Sequence, residues 1–281
     1  KLLFQEEIMK QTEKKENKRR KGLIFVMLLA LVVALAFGGY TFSKYITTKQ
    51  QSGQAQVAKW GFKISVNAAD LFGKNYIWDN GKNGSVVTTE ADKSKVTVQA
   101  DGVYNVVAPG TKGSMTFKVE GKAEVLAKLE LKLSDVKDIV LKIAKGGTTY
   151  EYYPVKWTLT KVGVTAPLVD GGKLSDVETK LNAVSAEWNS KIEVNTEITH
   201  EFTLSWEWAF NGSAVPADLT ALNLKADVLD TILGYLMNET TVDDIYTQLG
   251  LNSTEYTINK TDSVLQTEFK LDIEVVQLQK H

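Results

Sequence analysis

The sequence predicts a mainly β protein: a jelly-roll-like antiparallel sandwich with helical insertions, preceded by an N-terminal signal or transmembrane helix. Three observations lead to this prediction. Apolar residues alternate with polar ones in seven or more segments separated by polar turns, which is the pattern of half-buried strands in a sandwich or jelly roll. Two stretches between those segments have helical spacing. A basic cluster followed by an apolar run lies ahead of all of them.

The N-terminal region has the features of an export signal. A basic cluster in residues 14–21 leads into the apolar run 22–37 and then into two glycines. The run is about 15 residues long, as in the core of a secretory signal, and extended slightly it approaches the roughly 20 residues of a membrane span. We expect a basic leader at 1–21 and a hydrophobic signal segment at 22–43. A retained single-span anchor is the alternative.

The signal cleavage site is predicted between Ser43 and Lys44. Signal peptidases prefer small residues at the first and third positions before the cut. Thr41 and Ser43 satisfy this preference just after the glycine pair, whereas Ala34 and Ala36 satisfy it inside the apolar run.

Residues 1–8 precede the first methionine, Met9. We interpret them as untranslated leader, because codons for residues 5–9 can be chosen that contain the ribosome-binding string AGGAGG just ahead of ATG.

Composition narrows the class of protein further. The chain has no cysteine and a net charge of −1. An exported chain without disulfides depends for its stability on its core or on assembly, which is typical of a bacterial surface or matrix protein, and we expect a Gram-positive-like host. The mature region lacks the basic patch that nucleic acids require, so no nucleic-acid partner is expected.

Period-two rows predict the strands of one domain over residues 60–281. Each row has an apolar face opposite a polar face, as a strand with one buried side requires. The rows cover residues 60–66, 115–119, 125–133, 139–143, 155–159, 202–210 and 269–275.

Five aromatic residues on these rows are predicted to pack in the core. They are Trp60, Phe62, Trp157, Trp206 and Trp208. A carbohydrate platform is the alternative for Trp206 and Trp208, which share one face of a strand. The same face also carries Phe202, Leu204 and Phe210, which favours core packing.

Helical insertions are predicted near residues 174–188 and 217–249, where apolar side chains recur at helical spacing. Ser175 or Asp176 is expected to cap the first of these helices.

No catalytic constellation can be built from the sequence, so we expect no enzymatic activity, no cofactor and no metal. The only histidines are His200 and His281, and neither an HExxH motif nor a nucleophile elbow is present. His200 is interpreted as a surface or strand-edge residue. Asp227 and Asp230 are interpreted as charges on a solvated helix face, with calcium binding by carboxylates from separate loops as the open alternative.

A polar arm at residues 44–59 separates the signal from the first clear strand. Tyr45, Ile46 and Val57 are its large apolar side chains. In a polymer, such an arm can add a strand to the sheet of a neighbouring subunit. We therefore take residues 44–59 as the candidate donor strand.

Six blocks of the sequence occur in an order known from one protein family. They are the signal exit at 37–43, the first strand at 55–62, a Pro-Gly turn and return strand at 107–119, and the segments 204–210, 230–234 and 275–277. In these blocks the chain resembles the TasA/camelysin-like family of biofilm matrix fibre proteins, whose signals are cut by a SipW-type signal peptidase.

The resemblance implies a secreted jelly-roll protein that self-assembles into extracellular fibres of a biofilm matrix or cell surface. In such fibres, signal removal frees an N-terminal strand that completes the sheet of the next subunit. The implied partners are further copies of the chain, a SipW-type signal peptidase and an accessory assembly protein. Membrane contact is expected only through the signal segment before cleavage.

Two alternatives make different predictions. A membrane-anchored adhesin or glycan-binding module would retain the signal segment and present an exposed aromatic patch. A secreted metalloprotease, an activity attributed to the camelysin branch, would need a metal-ligand cluster, and the sequence contains none.

Overall fold

The computed structural model describes residues 58–79, 82–188, 192–210 and 214–278. The predicted signal segment, the cleavage site at Ser43 and Lys44, and the arm residues Tyr45, Ile46 and Val57 all lie outside the described residues. No helix in the described part of the chain is long and apolar enough to cross a membrane.

The fold is mainly β, which confirms the predicted class. The strands of the described residues are β1 (Lys63–Asn67), β2 (Asn75–Asp79), β3 (Lys82–Val86), β4 (Val96–Gln99), β5 (Thr111–Gly121), β6 (Ala127–Lys137), β7 (Leu141–Lys145), β8 (Thr148–Tyr152), β9 (Val155–Lys161), β10 (Val169–Gly172), β11 (Ile198–Trp208), β12 (Tyr256–Ile258) and β13 (Glu268–Gln277).

Three α-helices lie between the strands of the described residues: α1 (Leu174–Trp188), α2 (Ala226–Met237) and α3 (Val242–Leu249). They fall in the two stretches whose spacing predicts helices. Short 3-10 turns occupy Asp92–Lys95, Ala217–Leu219 and Lys260–Asp262.

The cap of α1 differs from the prediction. Asp138, just after β6, accepts hydrogen bonds from the backbone N–H groups of Leu174 (2.8 Å) and Ser175 (3.2 Å). Asp176 accepts from the N–H of Lys173 at 2.7 Å. The helix start is therefore satisfied chiefly by a carboxylate from a distant part of the chain, which local sequence does not reveal.

The largest sheet is mixed and has the order β10-β9-β11-β5-β3-β2-β4, with β1 on the same edge of β5 as β3. Its centre is the long antiparallel pair β11 and β5, in register from Ile198↔Gly121 to Trp208↔Thr111. The parallel pair is β3 with β5. A three-stranded sheet has the order β12-β7-β8, and β6 pairs with β13 in a two-stranded ribbon.

The apolar rows of the strands meet in a common core. Trp157, Trp206 and Trp208 are all buried, and Phe117 of β5 stacks on Phe202 of β11 with ring centroids 4.9 Å apart. These rows alternate with polar residues because successive side chains of a strand point to opposite faces.

Three aromatic residues of the predicted rows lie outside this core. Trp60 and Phe62 are partly exposed and contact each other edge to face at 5.2 Å. Phe210 is 65% exposed, because β11 ends at Trp208 and Phe210 follows it. The alternation of apolar and polar residues in the sequence continues past the end of the strand, but the side chains there are no longer buried.

Gly113 of β5 has a loop packed directly against its backbone. A side chain there would place its Cβ 2.0 Å from the carbonyl oxygen of Leu71 and 2.7 Å from Nε1 of Trp206. Those two atoms are themselves hydrogen-bonded at 2.6 Å. Glycine at this position therefore lets the loop dock on the central tryptophan.

We expect Gly113→Ala to destabilise the fold by about 3 kcal/mol, because the new methyl group displaces the Leu71 carbonyl from the Trp206 indole. The measurement is urea unfolding followed by tryptophan fluorescence. The matched control is Gly234→Ala in α2, where no atom lies within 4 Å of the added Cβ and helix propensity should stabilise by about 1 kcal/mol. Equal effects of the two substitutions would contradict the docking role of Gly113.

Candidate assembly edge

The ribbon of β6 and β13 covers part of the core with one apolar row from each strand. Directly opposed residues of an antiparallel pair point to the same face. The opposed pairs on the inner face are Leu133↔Leu271, Leu131↔Ile273 and Leu129↔Val275.

The outer edge of β6 is partly covered. Helix α1 packs against β6, and Ser185 of α1 accepts a hydrogen bond from the backbone N–H of Leu131 at 3.0 Å. Ile192 and Ala127 exchange backbone hydrogen bonds of 2.7 and 3.2 Å. Several backbone groups of this edge therefore have partners.

The other edge of the ribbon is open. Within the described residues, β13 pairs with no strand except β6, although it is ten residues long. A strand edge of this kind presents unpaired N–H and C=O groups that can pair with another chain.

Burial falls across the ribbon towards this open edge. The inner side chains of β6 are at most 2% exposed at Leu129, Leu131 and Leu133. Their partners in β13 belong to the partly buried class and pack against the core from its margin. A further strand beside β13 would cover the apolar row that is only half covered.

The other edge strands are shorter. The edges of the large sheet are formed by β10 and β4, of four residues each, and by the five-residue β1. Short edge strands are one way in which proteins prevent edge-to-edge pairing. β13 is therefore the longest described edge strand apart from β6, whose outer edge is partly covered by α1 and Ile192.

The solvent-facing side of β13 is charged. Glu268 pairs with Lys137 of β6 at 2.7 Å, and Lys270 pairs with Asp272 at 2.9 Å. The strand contains no proline. The charges keep this face in water, but they do not block the backbone groups of the edge.

At its start, β13 packs on the centre of the large sheet. Phe269 contacts Trp157 of β9 edge to face at 6.0 Å, and Phe72 contacts the same indole at 6.3 Å. The indole N–H of Trp157 is buried without a hydrogen-bond partner in the described residues. Its position is therefore fixed by aromatic packing.

The arm joins the fold close to the end of β13. Lys59 accepts a backbone hydrogen bond from Glu124 at 2.9 Å, and Leu126, two residues further on, accepts one from Leu278 just after β13. Lys59, the last residue of the predicted donor segment 44–59, is therefore held by its own domain.

Asp230 corrects a prediction from the sequence. It is buried in α2, and its Oδ1 accepts hydrogen bonds from the Tyr152 hydroxyl (2.7 Å) and from Nε1 of Trp208 (3.1 Å). The interpretation of Asp230 as part of a solvated face is wrong, although Asp227 is exposed. The carboxylate ties the helical insertion to β8 and β11.

Burial raises the pKa of Asp230 to about 6, against the lowering effect of its two hydrogen bonds. Burial and the nearby Asp230 raise the pKa of the Tyr152 hydroxyl, so Tyr152 remains a donor.

Burial and Lys161 lower the pKa of His200, which lies within β11 and is partly buried. His200 thus lies near the start of β11.

No group of three or more potential metal ligands occurs in the described part of the chain. No family model matches the sequence, and no curated protein matches it.

Asp230→Asn should change how stability depends on pH. Because the folded pKa of about 6 lies above the ordinary 3.8, the aspartate stabilises most below about pH 3.8, and this contribution is lost as pH rises through 6. We expect the variant to gain about 2 kcal/mol relative to wild type between pH 4 and pH 7. Urea unfolding of both proteins across this range measures the difference, and a difference that stays constant with pH would contradict the account.

Proposed function

We propose that the protein is a secreted structural protein that self-assembles into fibres of an extracellular matrix or cell surface. The free N-terminal arm of one copy adds as a strand to the open edge of β13 in the next copy. The proposal makes the protein a polymer subunit and not an enzyme.

The open edge of β13, with its half-covered apolar row, is the observation that supports this proposal. An added strand gains backbone hydrogen bonds, each worth about 1 kcal/mol net, and covers the inner side chains of β13. The arm is mostly polar, so backbone pairing supplies most of the affinity and its few apolar side chains supply the register.

The predicted jelly-roll architecture is part of the same proposal. With an added strand, the ribbon would become a three-stranded layer facing the large sheet, closer to the two complete layers of a jelly roll. The jelly-roll architecture would then be completed by assembly, not by the single chain.

Signal removal would control when the arm is free. An uncut signal segment tethers the arm to the membrane, whereas cleavage after Ser43 would release an arm that begins at Lys44. A SipW-type signal peptidase is the proposed processing enzyme, and an accessory assembly protein is a proposed starter of the fibres.

Deleting residues 44–57 should abolish filaments in the protein released by the host, as seen by negative-stain microscopy. N-terminal sequencing of the wild-type sample should give a start at or near Lys44. A synthetic peptide of residues 44–57 should bind the deletion variant, because its β13 edge is still open. Filaments that persist without the arm would contradict strand donation.

A matched pair of substitutions tests the acceptor edge. Val275→Lys places a charge on the inner row of β13, whereas Val276→Lys places the same charge on its solvent-facing side. We expect the first substitution to prevent filaments and the second to leave them unchanged, with circular dichroism confirming that both variants fold. Filaments formed equally by both would show that β13 is not the acceptor.

A further inference from the structure

A polar groove of about 460 Å³ lies on the outward face of the large sheet, opposite the core. Its volume is within the range of small-molecule and oligosaccharide sites. Its hydroxyl-bearing lining residues are Ser85, Thr88, Ser114, Thr158 and Ser205, and its charged lining residues are Asp70, Lys112, Lys156 and Glu207.

The register of the sheet arranges these side chains in two rows. Ser205 of β11 is opposite Ser114 of β5 and Thr158 of β9. In the next row, Glu207 is opposite both Lys112 and Lys156. Neighbouring strands are about 4.8 Å apart, so three hydroxyl groups form a regular line beside a line of alternating charge.

The chemistry of the groove favours an uncharged ligand rich in hydroxyl groups. Two lysines and two carboxylates balance, so the groove has no net charge to attract a polyanion. An added peptide strand would need free backbone groups on β5, but the N–H of Ser114 already donates to the carbonyl of Asp70 at 2.9 Å. Recognition must therefore come from side chains.

Two exposed aromatic rings lie beside Gly110, outside the residues that line the groove. Trp78 is 48% exposed and Phe210 is 65% exposed. Both lie beside Gly110, where an added Cβ would be 3.4 Å from the Trp78 ring and 3.9 Å from Cβ of Phe210. Gly110 is two residues from Lys112, or about 7 Å along a strand.

Asn83 ties the backbone of Phe210 to the groove residue Glu207. Its side-chain amide donates to the Glu207 carboxylate, and its Oδ1 accepts from the backbone N–H of Phe210 at 3.4 Å. Asn83 is itself buried. Exposed aromatic surface beside a polar groove is a common mark of a ligand site.

We propose that this groove binds an uncharged polysaccharide chain. One sugar ring stacks on Trp78, and the following rings hydrogen-bond to the line of Ser114, Ser205 and Thr158 and to the flanking charges. The site lies on a different surface from β13, so it would let an assembled fibre hold matrix polysaccharide.

The test measures binding of cellohexaose, chitohexaose and laminarihexaose to the purified chain by isothermal titration calorimetry, with an alginate hexasaccharide as the charged probe. We expect at least one neutral hexasaccharide to bind and alginate not to bind. Trp78→Ala should weaken binding by roughly tenfold, and Ser205→Arg, which fills the groove, should abolish it.

Matched controls separate the groove from general surface effects. Tyr104→Ala removes an aromatic ring that is 84% exposed elsewhere, and Thr199→Arg adds the same cation to β11 outside the groove. Both should bind like wild type. Failure of all three neutral probes to bind, tighter binding of alginate, or binding that survives both Trp78→Ala and Ser205→Arg would overturn the proposal.

Discussion

A β-strand carries N–H and C=O groups along both edges, and in this fold the ribbon of β6 and β13 has partners for some of them on the β6 side only. Helix α1 and Ile192 satisfy backbone groups of Leu131 and Ala127 on the outer edge of β6, while β13 pairs with β6 alone among the described strands. The ribbon also covers the tryptophan-rich face of the large sheet, through the contact of Phe269 with Trp157. The core is thus well packed in its centre and only half covered along one margin.

This asymmetry would give the proposed assembly a physical basis. An incoming strand would be held mainly by the backbone, so a polar arm can serve as donor even though it has few apolar side chains. An incoming strand would also choose β13 over the edges of the large sheet, because β1, β4 and β10 are too short to pair with a long strand. The charged side chains of β13 lie on its outer face and not along its edge.

Strand rows and helices could be predicted from the sequence because they depend on local periodicity. The row 202–210 predicted β11, and helical spacing predicted α1. Long-range contacts could not be predicted this way. The cap of α1 comes from Asp138, and the burial of Asp230 depends on Tyr152 and Trp208. The open edge of β13 also depends on strand order, which periodicity does not encode. Phe210 shows the limit of the pattern, since it continues the apolar row but lies beyond the end of β11 at Trp208 and is exposed.

Hydrogen–deuterium exchange of the monomer and the filament, resolved by peptide, tests the central claim most directly. The account predicts that amides of β13 become strongly protected on assembly, while those of β11, paired on both sides in the monomer, change little. Protection that appears instead at β1, β4 or β10, with β13 unchanged, would contradict it.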